Sequence, residues 1–136
     1  MKLTTRYRFS ASHRLDSAEL TPEENCRLYG KCNNPYGHGH DYILDVTLEG
    51  PVDEHGQVAN RSALDALVRN TVIARLDHKY LNADLPEFAN VVPTTENLIS
   101  AVHGALERQW TLPARLVRLR IVETARNTFE LEAPVR

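Results

Sequence analysis

Leu3, Thr5, Tyr7, Phe9 and Ala11 alternate with Thr4, Arg6, Arg8 and Ser10, which is the period of a half-buried strand, and His13 continues the apolar phase. A second run puts His38, His40, Tyr42, Leu44, Val46 and Leu48 on one face, with Asp41, Ile43, Asp45, Thr47 and Glu49 on the other. Both core-facing rows therefore end in histidine. Residues 16–37 show no sustained period, so a loop is predicted there. A loop of that length is unusual in a small domain unless it serves a function.

Beyond the turn signals Pro51, Asp53 and Gly56, Asn60 and Ser62 are candidate helix caps. The stripe Leu64, Leu67, Val68 and Val72 then predicts an amphipathic helix from about Ser62 to Arg75. After Pro86 and Pro93, Thr94 or Thr95 can cap a second helix with Leu98, Ile99, Val102 and Leu106 on its inner face. Val117, Leu119, Ile121 and Glu123 share one strand phase, and 127–132 alternates around Phe129 and Leu131. The predicted order is β-β-α-α-β-β. Two hairpins and two helices make an α+β fold: a four-stranded antiparallel sheet with the helix pair on its apolar face.

The chain has 136 residues, 42% hydrophobic and 25% charged, which predicts one folded domain over 1–136. A formal net charge of -2 gives no global basic field, so neither nucleic acid nor an anionic membrane is an expected partner. The first residues lack the apolar core of a signal peptide, and no stretch approaches the roughly 20 apolar residues of a membrane span, so a soluble cytoplasmic protein is expected. Cys26 and Cys32 form no Cys-x-x-Cys pair and no disulfide framework.

His38 and His40 bracket one glycine, so on a strand their side chains project to the same side. If the first two strands pair around the long loop, His13 joins them. A lone histidine on an apolar face is more often a hydrogen-bonded core residue than a ligand; three in register point to a metal. Three imidazoles leave one position open for water or substrate, which is a catalytic rather than a structural arrangement. Zinc suits neutral imidazoles, though ligand type alone also admits copper, nickel or iron. Cys32 lies close enough in sequence for the loop to fold over that open position, where a cation would favour its thiolate, a base or nucleophile. For Cys26 the plainer role of a small buried hydrophobe is expected. Asp77-His78 on its own reads as charge at a helix end. Glu123 closes an apolar row, where a carboxylate calls for a polar ligand edge or else faces water at a frayed strand end.

Taken together, Ser10-Ala11-Ser12-His13-Arg14-Leu15, Gly30-Lys31-Cys32-Asn33-Asn34-Pro35 running into Gly37-His38-Gly39-His40, Leu76-Asp77-His78-Lys79, Thr94-Thr95-Glu96-Asn97 and Val122-Glu123-Thr124 resemble the 6-pyruvoyl-tetrahydropterin synthase family over nearly the whole chain. The resemblance implies the tunnelling fold, or T-fold, in which sheets close into a barrel in a trimer and two trimers stack as a homohexamer. It implies zinc on His13, His38 and His40, and Cys32 as catalytic base. Asp77 and His78 would be proton-relay partners across a subunit interface. Glu123 would anchor the pterin, with Thr94, Thr95 and Glu96 helping to hold the ring.

The reaction so implied is a lyase reaction that converts 7,8-dihydroneopterin triphosphate to 6-pyruvoyl-tetrahydropterin with loss of triphosphate. The sister activity is 6-carboxy-tetrahydropterin synthase of the queuosine route, whose pattern resembles Cys-x3-His-Gly-His. Here Asn34 occupies that cysteine position and Cys32 stands at Cys-x5-His-Gly-His, a spacing that favours the pyruvoyl enzyme. A non-catalytic metal or pterin-binding module would have no use for Cys32, Asp77 and His78 together. Arg8, Arg14, Lys31 and Lys79 are candidates for the triphosphate, and none is assigned.

Overall fold

The computed structural model describes residues 1–134; Val135 and Arg136, the end of the domain expected over 1–136, lie outside the described residues. Strands β1 (Lys2–His13) and β2 (His38–Glu49) pair antiparallel along their whole length, from Lys2 opposite Glu49 to His13 opposite His38. The alternation in both rows supplies the reason: only this pairing buries Tyr7, Phe9 and Ala11 together with Tyr42, Leu44, Val46 and Leu48. Strand β4 (Arg115–Val122) adds to the other side of β2, and β5 (Thr128–Glu132) pairs with β4.

The sheet departs from the sequence expectation in having, among the described residues, five strands and mixed direction, in the order β3-β1-β2-β4-β5 with β3 spanning Lys79–Tyr80. The added strand, β3, runs parallel to β1 opposite Ala11 and Ser12. Two residues are too few to carry a period, so no alternation could announce it. The sheet does not close on itself within one chain. A bulge between Thr47 and Leu48 sets Leu116 rather than Val117 opposite Leu48, which shifts the phase of the predicted Val117 row at its start.

The 16–37 segment is also more ordered than a loop. It contains helix α1 (Pro22–Tyr29), followed by a 3₁₀ turn over Gly30–Asn33. Thr21 and Glu24 form a reciprocal capping box and Pro22 takes the first helical position. Only Asn25 of this helix is buried, so its apolar period is too faint to read, and Cys26, expected to be a small buried hydrophobe, is exposed instead.

Helix α2 (Arg61–Val68), capped by the Asn60 side chain, runs through a π-helical turn at Arg69–Ile73 into α3 (Ala74–Leu76). A short α4 (Leu81–Asp84) follows, then the long α5 (Thr95–Gln109), whose cap is Thr94. Leu64, Val68, Val72, Leu98, Ile99, Val102 and Leu106 form one core with the inner rows of β1, β2 and β4. Fully burying a side chain of this size contributes about 1.5–3 kcal/mol. Among the described residues no helix is long and apolar enough to cross a membrane.

Candidate active site

The two histidine rows meet at the end of the β1–β2 pair. His13 is completely buried, while His40 and Cys32 are half-buried. One ligand atom from each of the three lies within 4.8 Å of the others. Cys32 arrives through the loop's return: the Leu15 N–H donates to the Cys32 carbonyl at 2.7 Å, and the Asn33 amide donates to the Leu15 carbonyl at 2.6 Å. Its sulfur stands 3.8 Å from His40 Nε2. The His38 ring lies outside that three-atom group, edge-on to His40 with centroids 4.7 Å apart. The sulfur, read from sequence as a neighbour of three imidazoles, is thus part of the compact donor set.

The chemistry of His13 tests whether a metal fits. A carbonyl only accepts, so the 2.9 Å contact between His13 Nδ1 and the Pro93 oxygen puts the imidazole proton on Nδ1. Nε2 then carries a lone pair, yet it is buried with no hydrogen-bond partner among the described residues. An orphaned nitrogen facing a second imidazole and a thiol, with its opposite N–H on a backbone carbonyl, is the arrangement of a metal ligand held in one tautomer. Burial lowers the His13 pKa, with the Pro93 contact opposing, and burial likewise lowers that of His40 against the pull of Glu123. Both rings are therefore kept in the neutral form that binds a cation. Burial pushes the Cys32 thiol up, and the negative charge of Glu123 adds to the effect.

Glu123 follows the last residue of β4 and is tied back by its N–H to the Asn127 carbonyl at 3.1 Å. Its Oε2 accepts from the buried Thr95 hydroxyl at the start of α5. Thr94 is engaged as the helix cap, accepting from the Asn97 N–H at 3.3 Å, and Glu96 is exposed in the first turn. The sequence reading missed two members of this corner. Pro93 contributes a carbonyl, which no side-chain pattern reveals, and Tyr42 sits below His40 with ring centroids 5.5 Å apart. Its place two residues after His40 in the same strand phase was the available signal.

Asp77 and His78 take a different place. The chain leaves α3 extended at Asp77, and His78 is left-handed with φ 61, the one such non-glycine residue among those described. Asp77 Oδ1 accepts from the Ser10 N–H at 2.9 Å, while the His78 N–H donates to the Ser10 carbonyl at 2.6 Å, so the pair is stapled to the edge of β1. Because neither residue is helical there, the two side chains do face each other, with His78 Nε2 3.5 Å from Asp77 Oδ2. The imidazole is 83% exposed. It borders an open groove shared with Ser12, Asp41 and Lys79, and among the described residues no hydrogen bond joins it to Cys32.

The sequence profile of the 6-pyruvoyl tetrahydropterin synthase family matches residues 2–134. The chain belongs to this family. It is 41% identical over 133 residues to the 6-pyruvoyl tetrahydrobiopterin synthase of Drosophila melanogaster, covering 97% of this chain and 79% of that one. Against the protein of the same name from Poecilia reticulata it is 47% identical over 121 residues, covering 88% and 81%. The solved structure of Caenorhabditis elegans 6-pyruvoyl tetrahydropterin synthase superposes with a TM-score of 0.91 at 33% identity, covering 98% of this chain and 96% of that one. In this member of the 6-pyruvoyl tetrahydropterin synthase family, the carboxylate held by Thr95 lies close enough for its charge to act on all three members of the donor group.

Proposed function

We propose that this chain is a zinc-dependent lyase that converts 7,8-dihydroneopterin triphosphate to 6-pyruvoyl-tetrahydropterin with elimination of triphosphate. The observation that carries the reading is the orphaned His13 Nε2, buried beside His40 and Cys32 and next to a carboxylate held by Thr95. His13, His38 and His40 are the residues that would hold the zinc, which would leave Cys32 free for proton transfer. When bound, zinc supplies Lewis-acid polarisation of the substrate's side-chain oxygens and a positive charge that brings the Cys32 thiol down toward the thiolate.

The protein's own groups divide the rest. Glu123 accepts hydrogen bonds from the pterin's amino group and adjacent ring N–H, a paired, charge-assisted contact. The Thr94-Thr95-Glu96 segment borders the ring. Cys32 removes a carbon-bound proton from the substrate side chain, and His78, oriented by Asp77, exchanges a proton with a side-chain oxygen. Triphosphate leaves with the electron pair of its carbon–oxygen bond as the new double bond forms. His78 is exposed at a sheet edge instead of standing at Cys32, which favours its delivery by a neighbouring subunit. The assembly proposed is accordingly a homohexamer, a dimer of trimers in which the open sheets of three chains close a barrel.

Incubating the purified protein with 7,8-dihydroneopterin triphosphate and identifying the product by mass spectrometry tests the reading. A pyruvoyl side chain supports it. A 6-carboxyl group with acetaldehyde release would reassign the chain to the sister activity, and recovery of unchanged substrate would leave a binding module.

A further inference from the structure

Tyr42 is only 1% exposed, and its hydroxyl is buried without a hydrogen-bond partner among the described residues. The ring alone needs no hydroxyl: it stacks on Phe9 with centroids 5.0 Å apart and supports His40 from below, and phenylalanine would fill the same space. A buried phenol left unpaired is costly, so the oxygen calls for a use.

Its surroundings supply one. The β2–β4 register pairs Ile43 with Val122, so one step further along the strands Tyr42 comes opposite Glu123. Thr95 is the hydrogen-bonding side chain that bears on the phenol, which also feels the charges of Glu123 and Cys32. The Thr95 hydroxyl proton is already committed to Glu123 Oε2, and among the described residues no hydrogen bond donates to the lone pairs of Thr95 Oγ1. A small shift of the Thr95 side chain would bring its Oγ1 within reach of the Tyr42 O–H. In that chain every proton has an acceptor, and each bond polarises the next.

We infer that Tyr42 is a positioning residue: its hydroxyl donates to Thr95, and Thr95 in turn fixes the Glu123 carboxylate so that Oε1 faces the pterin donors. The inference rests on the pterin reading given above and extends it to a residue that does not touch the ligand. Being buried behind Thr95, the phenol acts through it.

Fluorescence titration with neopterin tests the relay in Tyr42→Phe, Thr95→Val, Thr95→Ser and the combined variants, with zinc content measured on each. Tyr42→Phe should bind about fivefold more weakly, the effect of one ordinary hydrogen bond, with zinc unchanged. In turnover the loss should fall on KM and leave kcat in place. The same substitution should cost nothing further in the Thr95→Val background and should keep its cost in Thr95→Ser, where the hydroxyl remains. Wild-type affinity in Tyr42→Phe, or a full fivefold loss on top of Thr95→Val, would overturn the relay. An insoluble Tyr42→Phe would also overturn it, because the hydroxyl would then serve the fold. Failure of the unmodified protein to bind neopterin would instead sink the pterin reading, and the relay with it.

Discussion

Gly37 faces the backbone carbonyl of His13 so closely that a Cβ at position 37 would lie 2.8 Å from its oxygen. The residue also has φ 81, a left-handed conformation that suits glycine. The approach matters because Gly37 is the last residue before His38, so it sets where the second histidine row begins relative to the first. Gly37→Ala should destabilise the fold by more than about 1 kcal/mol through strain and contact together. It should also lower metal content out of proportion to that loss, because the two rows move apart. Urea denaturation paired with metal analysis checks this; full metal occupancy in the variant would show that the rows do not depend on the contact.

The compact donor set contains Cys32 and leaves out His38, so ligand and base can be told apart by substitution. His13→Ala, His38→Ala and His40→Ala should each lose most of the bound zinc together with activity. Cys32→Ala should retain zinc while product formation falls by orders of magnitude. The reverse result, zinc lost from Cys32→Ala and retained in His38→Ala, would make the sulfur the third ligand and require another base.

Stability of the metal-stripped protein should follow the buried His13 and half-buried His40 imidazoles. Their folded-state pKa values lie below the ordinary 6.5. The unfolded chain therefore takes up protons before the folded chain does, and stability declines as pH falls from about 6.5 toward the folded-state values. The urea midpoint at pH 5.5 should be lower than at pH 7.5, and His13→Gln should flatten that dependence. Equal midpoints in the unsubstituted protein would contradict neutral, buried rings.

Glu123→Gln preserves size and replaces one acceptor oxygen with an amide donor, which would meet the pterin's own donors head-on. Binding of a non-reacting pterin should weaken at least tenfold, as expected for loss of a charge-assisted contact, while zinc content stays unchanged. Isothermal titration with neopterin measures it directly. Unaltered affinity would move the recognition of the ring to the Thr94-Thr95-Glu96 segment.

Alternation made β1, β2 and the inner helix faces legible, because a period of two or of 3.6 residues repeats often enough to register over ten residues. The in-phase extension of those rows to the histidines puts His13 and His40 together at the end of the β1–β2 pair, whereas His38, in the same phase, stands outside the three-atom donor group. What stayed hidden was short or made of backbone. Lys79–Tyr80 is a strand only because Ser10 receives Asp77 and His78 at the edge of β1. Helix α1 is held by a capping box and hardly at all by an apolar face. The orientation of His13 depends on the Pro93 carbonyl, an atom every residue possesses and no sequence pattern singles out.

That carbonyl has an effect beyond the histidine. Pro93 precedes the Thr94 cap, so the ring that would hold the ion and the first turn of α5 hang from adjacent peptide units. An ion that binds the folded chain and not the unfolded one draws its stabilisation through His13 into this junction. Loading the centre should thus slow local opening at the start of a helix that supplies no ligand, so that amide exchange near residues 95–99 becomes a gauge of occupancy. Cofactor capture and the seating of α5 on the sheet are then two readings of a single equilibrium.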